Sequence, residues 1–174
     1  MTAAALLLMS LCFAGNASAG NFGVLGGANF QTTALKAENV TRWHAGLAYK
    51  FNLPLGFHVQ PALIYSVKST DVNTADLKLQ DLSVGYLELM ASVQWGIDLI
   101  LLRPFIDVSP FAGYGVNGFG QFKDVWKNDL NSFDYGLGLG GGLDVWRFQI
   151  AARYNWNFNN PDLRGVTLSL AYFF

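Results

Sequence analysis

Along most of this chain, apolar residues recur at every second position. In RWHAGLAYKFN, Trp43, Ala45, Leu47, Tyr49 and Phe51 share one face, and Arg42, His44, Gly46, Ala48, Lys50 and Asn52 share the other. In FHVQPALIYSVK, Phe57, Val59, Pro61, Leu63, Tyr65 and Val67 oppose His58, Gln60, Ala62, Ile64, Ser66 and Lys68. A period of two is the strand signature, because successive side chains point to opposite faces of a sheet. The pattern returns in YLELMASVQW, PFIDVSPFAGYG, FDYGLGLGGGLD, RFQIAARYNWNF and GVTLSLAYFF, and more faintly in NFGVLGGANF. That makes about eight strands of roughly 10 residues, the length that crosses a bilayer when tilted. No stretch reaches the 18 or so apolar residues of a membrane-spanning helix.

The connections alternate in character. After strands two, four and six they are short: LPLG, GIDLILLR and a tight turn near DVW. After strands one, three, five and seven they are mostly longer and more polar: QTTALKAENVT, STDVNTADLKLQD, VNGFGQFKDVWKNDLNS and NNPDLRG. Short turns at one end and long loops at the other are the arrangement of an outer-membrane barrel, with both termini in the periplasm. More than half the chain in strands is excessive for an ordinary globular domain and expected of such a barrel. Pro54 and Pro161 fall in turns and Pro104 starts a strand, whereas Pro61 and Pro110 interrupt closed ladders and predict local bulges.

A soluble, exported eight-stranded barrel of the lipocalin type has the same strand count, and the two differ in which face is apolar. Here one face carries nearly all the Trp, Tyr, Leu and Val. The other carries Arg42, Lys50, Lys68, Glu88, Asp107, Asp134, Asp144, Arg147 and Arg153, which is five cations and four anions. Nine charges in a dry ligand cavity are costly unless paired, and a continuous apolar belt in water is worse. Both faces are satisfied if lipid surrounds the barrel and polar side chains knit together inside it. Charged residues are only 13% of the chain and the net charge is −1, so nothing in the composition points to nucleic acid.

The N-terminus, MTAAALLLMSLCFAGNASAG, has an apolar core followed by the small residues Ala17–Ala19, a secretory cleavage pattern. Residues 1–19 are therefore predicted to be a signal peptide and 20–174 the barrel. The first charge is Lys36, so the basic leader segment is missing, as a translation start upstream of Met1 would leave it. Cys12, the only cysteine, would be removed with the leader; Leu11 before it argues against a lipoprotein signal. At the other end, Leu168, Leu170, Tyr172 and Phe174 alternate to an aromatic terminus. They resemble the signal that the barrel assembly machinery reads, with membership of the interfacial aromatic girdle as the plainer role for Phe174.

The succession GVLGGANF, HAGLAYKF, VQPALIYS, GYLELMASVQW, PFAGYGV, FDYGLGLGGGLD, IAARYNW and LSLAYFF resembles the PorT-like outer-membrane beta-barrel family of Bacteroidetes from end to end. Met90 stands where that family typically has proline. The resemblance implies an outer-membrane location and, because PorT itself is tied to protein secretion, a link to secretion.

Other motifs carry no chemistry of their own. Gly136, Gly138 and Gly141 spell a dinucleotide-binding pattern, as do Gly113, Gly115 and Gly118, but both runs alternate inside strands with no helix following. The glycines of the sixth strand instead leave room for long side chains, and a turn at DVW sets Arg153 almost opposite Gly138. His44 and His58 face inward on order of 20 Å apart, too far to share a metal. No serine has a histidine and carboxylate converging on it. No catalytic residue, cofactor or metal is therefore expected.

The constellation that stands out is Glu88 with Arg153 at mid-height, Asp107 slightly lower, and Arg42, Lys68 and Asp134 towards the outer rim. Glu88 and Arg153 are expected to pair at the centre of a network filling a lumen that is just wide enough for side chains. Three classes of function compete: a structural or interaction protein that stabilises the envelope or presents its outer loops, especially residues 117–132 with Phe122 and Trp126; a part in protein secretion or envelope integrity; and a small porin-like channel or a barrel enzyme, against which a filled lumen and the missing catalytic set argue. Enzymatic activity is not expected.

Overall fold

The computed structural model describes residues 18–31, 41–74, 77–119, 133–159 and 163–174. Eight strands run in chain order: β1 Ser18–Gln31, β2 Thr41–Asn52, β3 Phe57–Thr74, β4 Leu77–Gly96, β5 Arg103–Phe119, β6 Phe133–Val145, β7 Phe148–Asn157 and β8 Gly165–Phe173. Each pairs antiparallel with its sequence neighbours, and β8 closes on β1 through pairs such as Gly23↔Phe173 and Ala28↔Leu168. The result is a closed up-and-down barrel, which leaves no sheet edge with unpaired backbone polar groups.

The alternation read from the sequence is the alternation of the wall. Trp43, Leu63, Leu89, Ile106, Ile150 and Leu170 are exposed on the outside. Between them His44, Gln60, Glu88, Asp107, Gln149 and Ser92 are buried. Polar inside and apolar outside is the inverse of a lipocalin.

Four expectations need correction. The segment expected as a polar loop after strand three is mostly strand, since β3 continues to Thr74 and β4 begins at Leu77. No bulge forms at either proline. The registered pairs run from Ala48↔Ala62 to Phe51↔Val59 across Pro61, and from Met90↔Phe111 to Val93↔Val108 across Pro110, with no shift in register. A proline lacks one donor but keeps its place in the ladder. Shifts occur instead between Ser18 and Asn21, Thr70 and Val72, and Gly85 and Tyr86.

The third correction sets the position of Arg153. The β6–β7 hairpin turns at Trp146 and Arg147, with Val145 opposite Phe148 and Trp146 at a left-handed φ of 56°. Arg153 therefore faces Gly140, while Gly138 faces Asn155. Gly140 is where the lack of a side chain matters, because an added Cβ would lie 2.8 Å from both Cα and Cγ of Arg153. Fourth, Arg147 is an exposed residue of that turn, at the rim of the inner mouth and not among the buried charges of the lumen.

The leader expected at 1–19 lies outside the described residues except for Ser18 and Ala19, which belong to β1. Phe122 and Trp126 also lie outside them.

Candidate functional site

The lumen is filled in layers. Towards the end with the longer connections, Lys68 on β3 pairs with Glu88 on β4, and its Nζ lies 3.9 Å from Asp134 Oδ2 on β6. The Lys68 ammonium also sits over the rings of Tyr86 and Phe111, at 5.3 and 5.2 Å. Asn157 donates to Asp134 from β7. Arg42, expected in this group, is half-buried on β2 opposite Asn29.

One layer further in, Arg153 Nε donates to Asp107 Oδ2 at 2.5 Å, and the hydroxyls of Ser92 and Ser109 donate to the same oxygen at 2.8 and 2.6 Å. The expected Glu88–Arg153 pair is thus not made. Each takes a different partner, and the two meet only as walls of a shared cavity of about 50 Å³, bordered also by Leu25, Met90 and Phe111. The cause is register: moving Arg153 two positions along β7 carries its guanidinium to the Asp107 layer.

His44 is held in this outer half by Asn29 Oδ1 at 3.1 Å and Ser169 Oγ at 3.0 Å. Asn29 in turn donates to Ser66 and receives from Thr167. A hydrogen-bonded histidine in such a chain across four strands is a packing element. Among the described residues no group of three or more His, Cys, Asp or Glu is arranged to hold a metal.

Below Asp107 lies a layer the sequence reading passed over. Gln94 Nε2 donates to Gln60 Oε1 at 3.0 Å, and Gln149 Nε2 donates to Asp144 Oδ1 at 2.8 Å and reaches Gln94 Oε1 at 3.4 Å. All three glutamines are at most 2% exposed. They span the barrel from β3 through β4 to β7.

The inner mouth has a charge cluster of its own. Asp144 receives Lys50 Nζ at 2.8 Å and Arg103 Nη1 at 3.0 Å, and Arg103 also donates to the Gly56 carbonyl at 2.8 Å. Lys50 and Asp144 were legible as inward-facing. Arg103 was hidden at the end of the apolar run DLILLR, and only the identity of its register partner, Asp144, marks it as a lumen residue. This cluster borders a mouth of about 440 Å³.

The terminal residues of interest lie on the outer wall. Leu168, Leu170 and Phe174 are exposed, Tyr172 is half-buried, and Phe174 N–H donates to the Phe22 carbonyl at 2.8 Å, stacking its ring on Phe22.

With this architecture in view, the outer membrane protein beta-barrel domain family matches residues 14–162. The chain belongs to that family. Among solved structures, Neisserial surface protein A is similar at 14% identity with a TM-score of 0.53, over 90% of this chain and 97% of that one. The Yersinia pestis outer membrane protein Ail is similar at 16% identity with a TM-score of 0.48, over 90% and 100%. No curated protein matches. The barrel is a bacterial outer-membrane protein with lipid against its outer wall. Its short connections therefore mark the periplasmic end.

Proposed function

We propose that this barrel is a non-enzymatic structural or interaction protein of the outer membrane, a closed cylinder that carries its longer connections on the outer face for a partner in the envelope. The observation that carries this reading is the stacked filling of the lumen: an outer charged layer, the Arg153–Asp107 layer, the three glutamines and the Asp144 cluster. Side chains that bond one another across the barrel, and not to an open axis, favour stability over transport. Insertion is expected through the barrel assembly machinery, with Leu170, Tyr172 and Phe174 as its recognition edge. The PorT-like resemblance supports a role in secretion as the more specific form of this reading.

A small porin-like channel is the second reading, favoured by the two cavities of about 50 and 440 Å³ on either side of the glutamine layer. Planar-bilayer recording of the folded chain separates them. No unitary current is expected at either polarity, and steady conductance would put the channel first. Deleting the gene tests the envelope role, with loss of secreted cargo favouring secretion and detergent sensitivity without cargo loss favouring integrity.

A further inference from the structure

The β4–β5 hairpin continues past the barrel wall. The last sheet pair is Gly96↔Phe105, yet Ile97 N–H still donates to the Pro104 carbonyl at 3.2 Å and Leu99 N–H to the Leu102 carbonyl at 3.0 Å. The tip is Ile100–Leu101. Alternation persists along this extension. Asp98 and Arg103 turn to the mouth, where they pair at 3.4 Å. Ile97 and Leu99 carry on the outward row of Val93 and Trp95, and Leu102 that of Ile106, all exposed.

The composition of that outward row is unusual for its depth. Aromatic residues mark the membrane–water interface of a barrel. On this strand the marker is Trp95, beside Phe57 in register. Ile100 lies roughly 15 Å further along the chain at the ordinary strand rise. It is fully exposed, Leu101 is 80% exposed, and the neighbouring turn adds Leu55 at 87%. On the opposite side, Phe22, Tyr172, Phe174 and Phe148 form an aromatic cluster on the wall.

We propose that this hairpin is a membrane-seated spur, its aliphatic tip buried in the inner leaflet of the outer membrane. The barrel would then sit with the β4–β5 side deeper on the periplasmic face than the β8–β1 side. The patch is continuous with the lipid-facing belt, which already defines what covers this row. It also consists of Leu and Ile alone, without the aromatic, Met and Arg anchors that distinguish protein-binding patches. A hydrophobic stretch longer than its surroundings is accommodated by tilt or by local adjustment of the bilayer.

The test places a nitroxide at Ile100→Cys in a Cys12→Ser background of the full chain, folded into phosphatidylcholine vesicles. Leu89→Cys on the mid-wall and Arg147→Cys on the neighbouring turn serve as references. The expected result is oxygen accessibility at Ile100 several-fold above that at Arg147 and approaching Leu89, with a water-soluble nickel reagent excluded. Accessibility equal to Arg147 overturns the proposal and leaves a periplasmic protein as the occupant. Spin–spin broadening at low protein density overturns it in favour of a second copy.

Discussion

Among the described residues, no carboxylate in the outer half of the lumen is shared between two cations, whereas at the inner mouth Asp144 serves both Lys50 and Arg103. Lys68 meets Glu88 and Arg153 meets Asp107, with side chains at most 11% exposed. Asp144, 13% exposed, holds both Lys50 and Arg103. The difference teaches where a lost charge is felt. Removing Asp107 strands the Arg153 guanidinium in a place water reaches poorly, and the cost is large. At the mouth, removing Asp144 takes the carboxylate from Lys50 and leaves Arg103 only Asp98 at 3.4 Å, but beside a cavity large enough to rehydrate both. Burial, more than the number of ion pairs, ranks Asp107 above Asp144.

The sharpest attempt to break this ranking is Asp107→Ala. It leaves the Arg153 guanidinium and two serine hydroxyls without their common acceptor, and a loss of about 3–5 kcal/mol is expected in urea unfolding from vesicles. A loss below that of Asp144→Ala would reverse the comparison. Gly140→Ala comes next, since its new Cβ would press on the Ala152 carbonyl and on Arg153 itself. About 1–3 kcal/mol is expected in the same assay. An unaffected midpoint would mean that β6 and β7 can move apart there.

Asp144→Ala is expected to cost roughly 1–3 kcal/mol, at the low end if water enters the mouth, and more in a Gln149→Leu background. Smallest is the coupling that sharpens the outer layer. A double-mutant cycle between Lys68→Met and Glu88→Gln should give roughly 1 kcal/mol or more, and the cycle between Glu88→Gln and Arg153→Met roughly half that or less. Equal couplings would mean that Glu88 and Arg153 share a bond after all.

The barrel itself was legible because a side-chain period of two, carried through eight segments, can bury a polar face and expose an apolar one in only a few ways. Who meets whom inside was less so. Partners such as Arg153 and Asp107 depend on hairpin tips, and a tip at Trp146 with positive φ carries none of the Gly, Asn or Asp signal that marks such turns. An error there moved Arg153 from Gly140 to Gly138 and so from Asp107 to Glu88. Gln60, Gln94 and Gln149 escaped attention for another reason: uncharged amides on an inward face look unremarkable until three of them meet. Polar residues after Lys68 read as a loop, although a strand rising beyond the bilayer has no need of apolar alternation.

The central claim is that side chains close the lumen, and the glutamine layer crosses it from β3 to β7. Single-channel recording of the wild-type chain beside Gln60→Ala/Gln94→Ala/Gln149→Ala, each shown to be folded by heat-modifiable migration, tests it directly. The account predicts a silent wild type and unitary currents from the triple variant. Equal conductance from both would contradict it, since the layer would then close nothing.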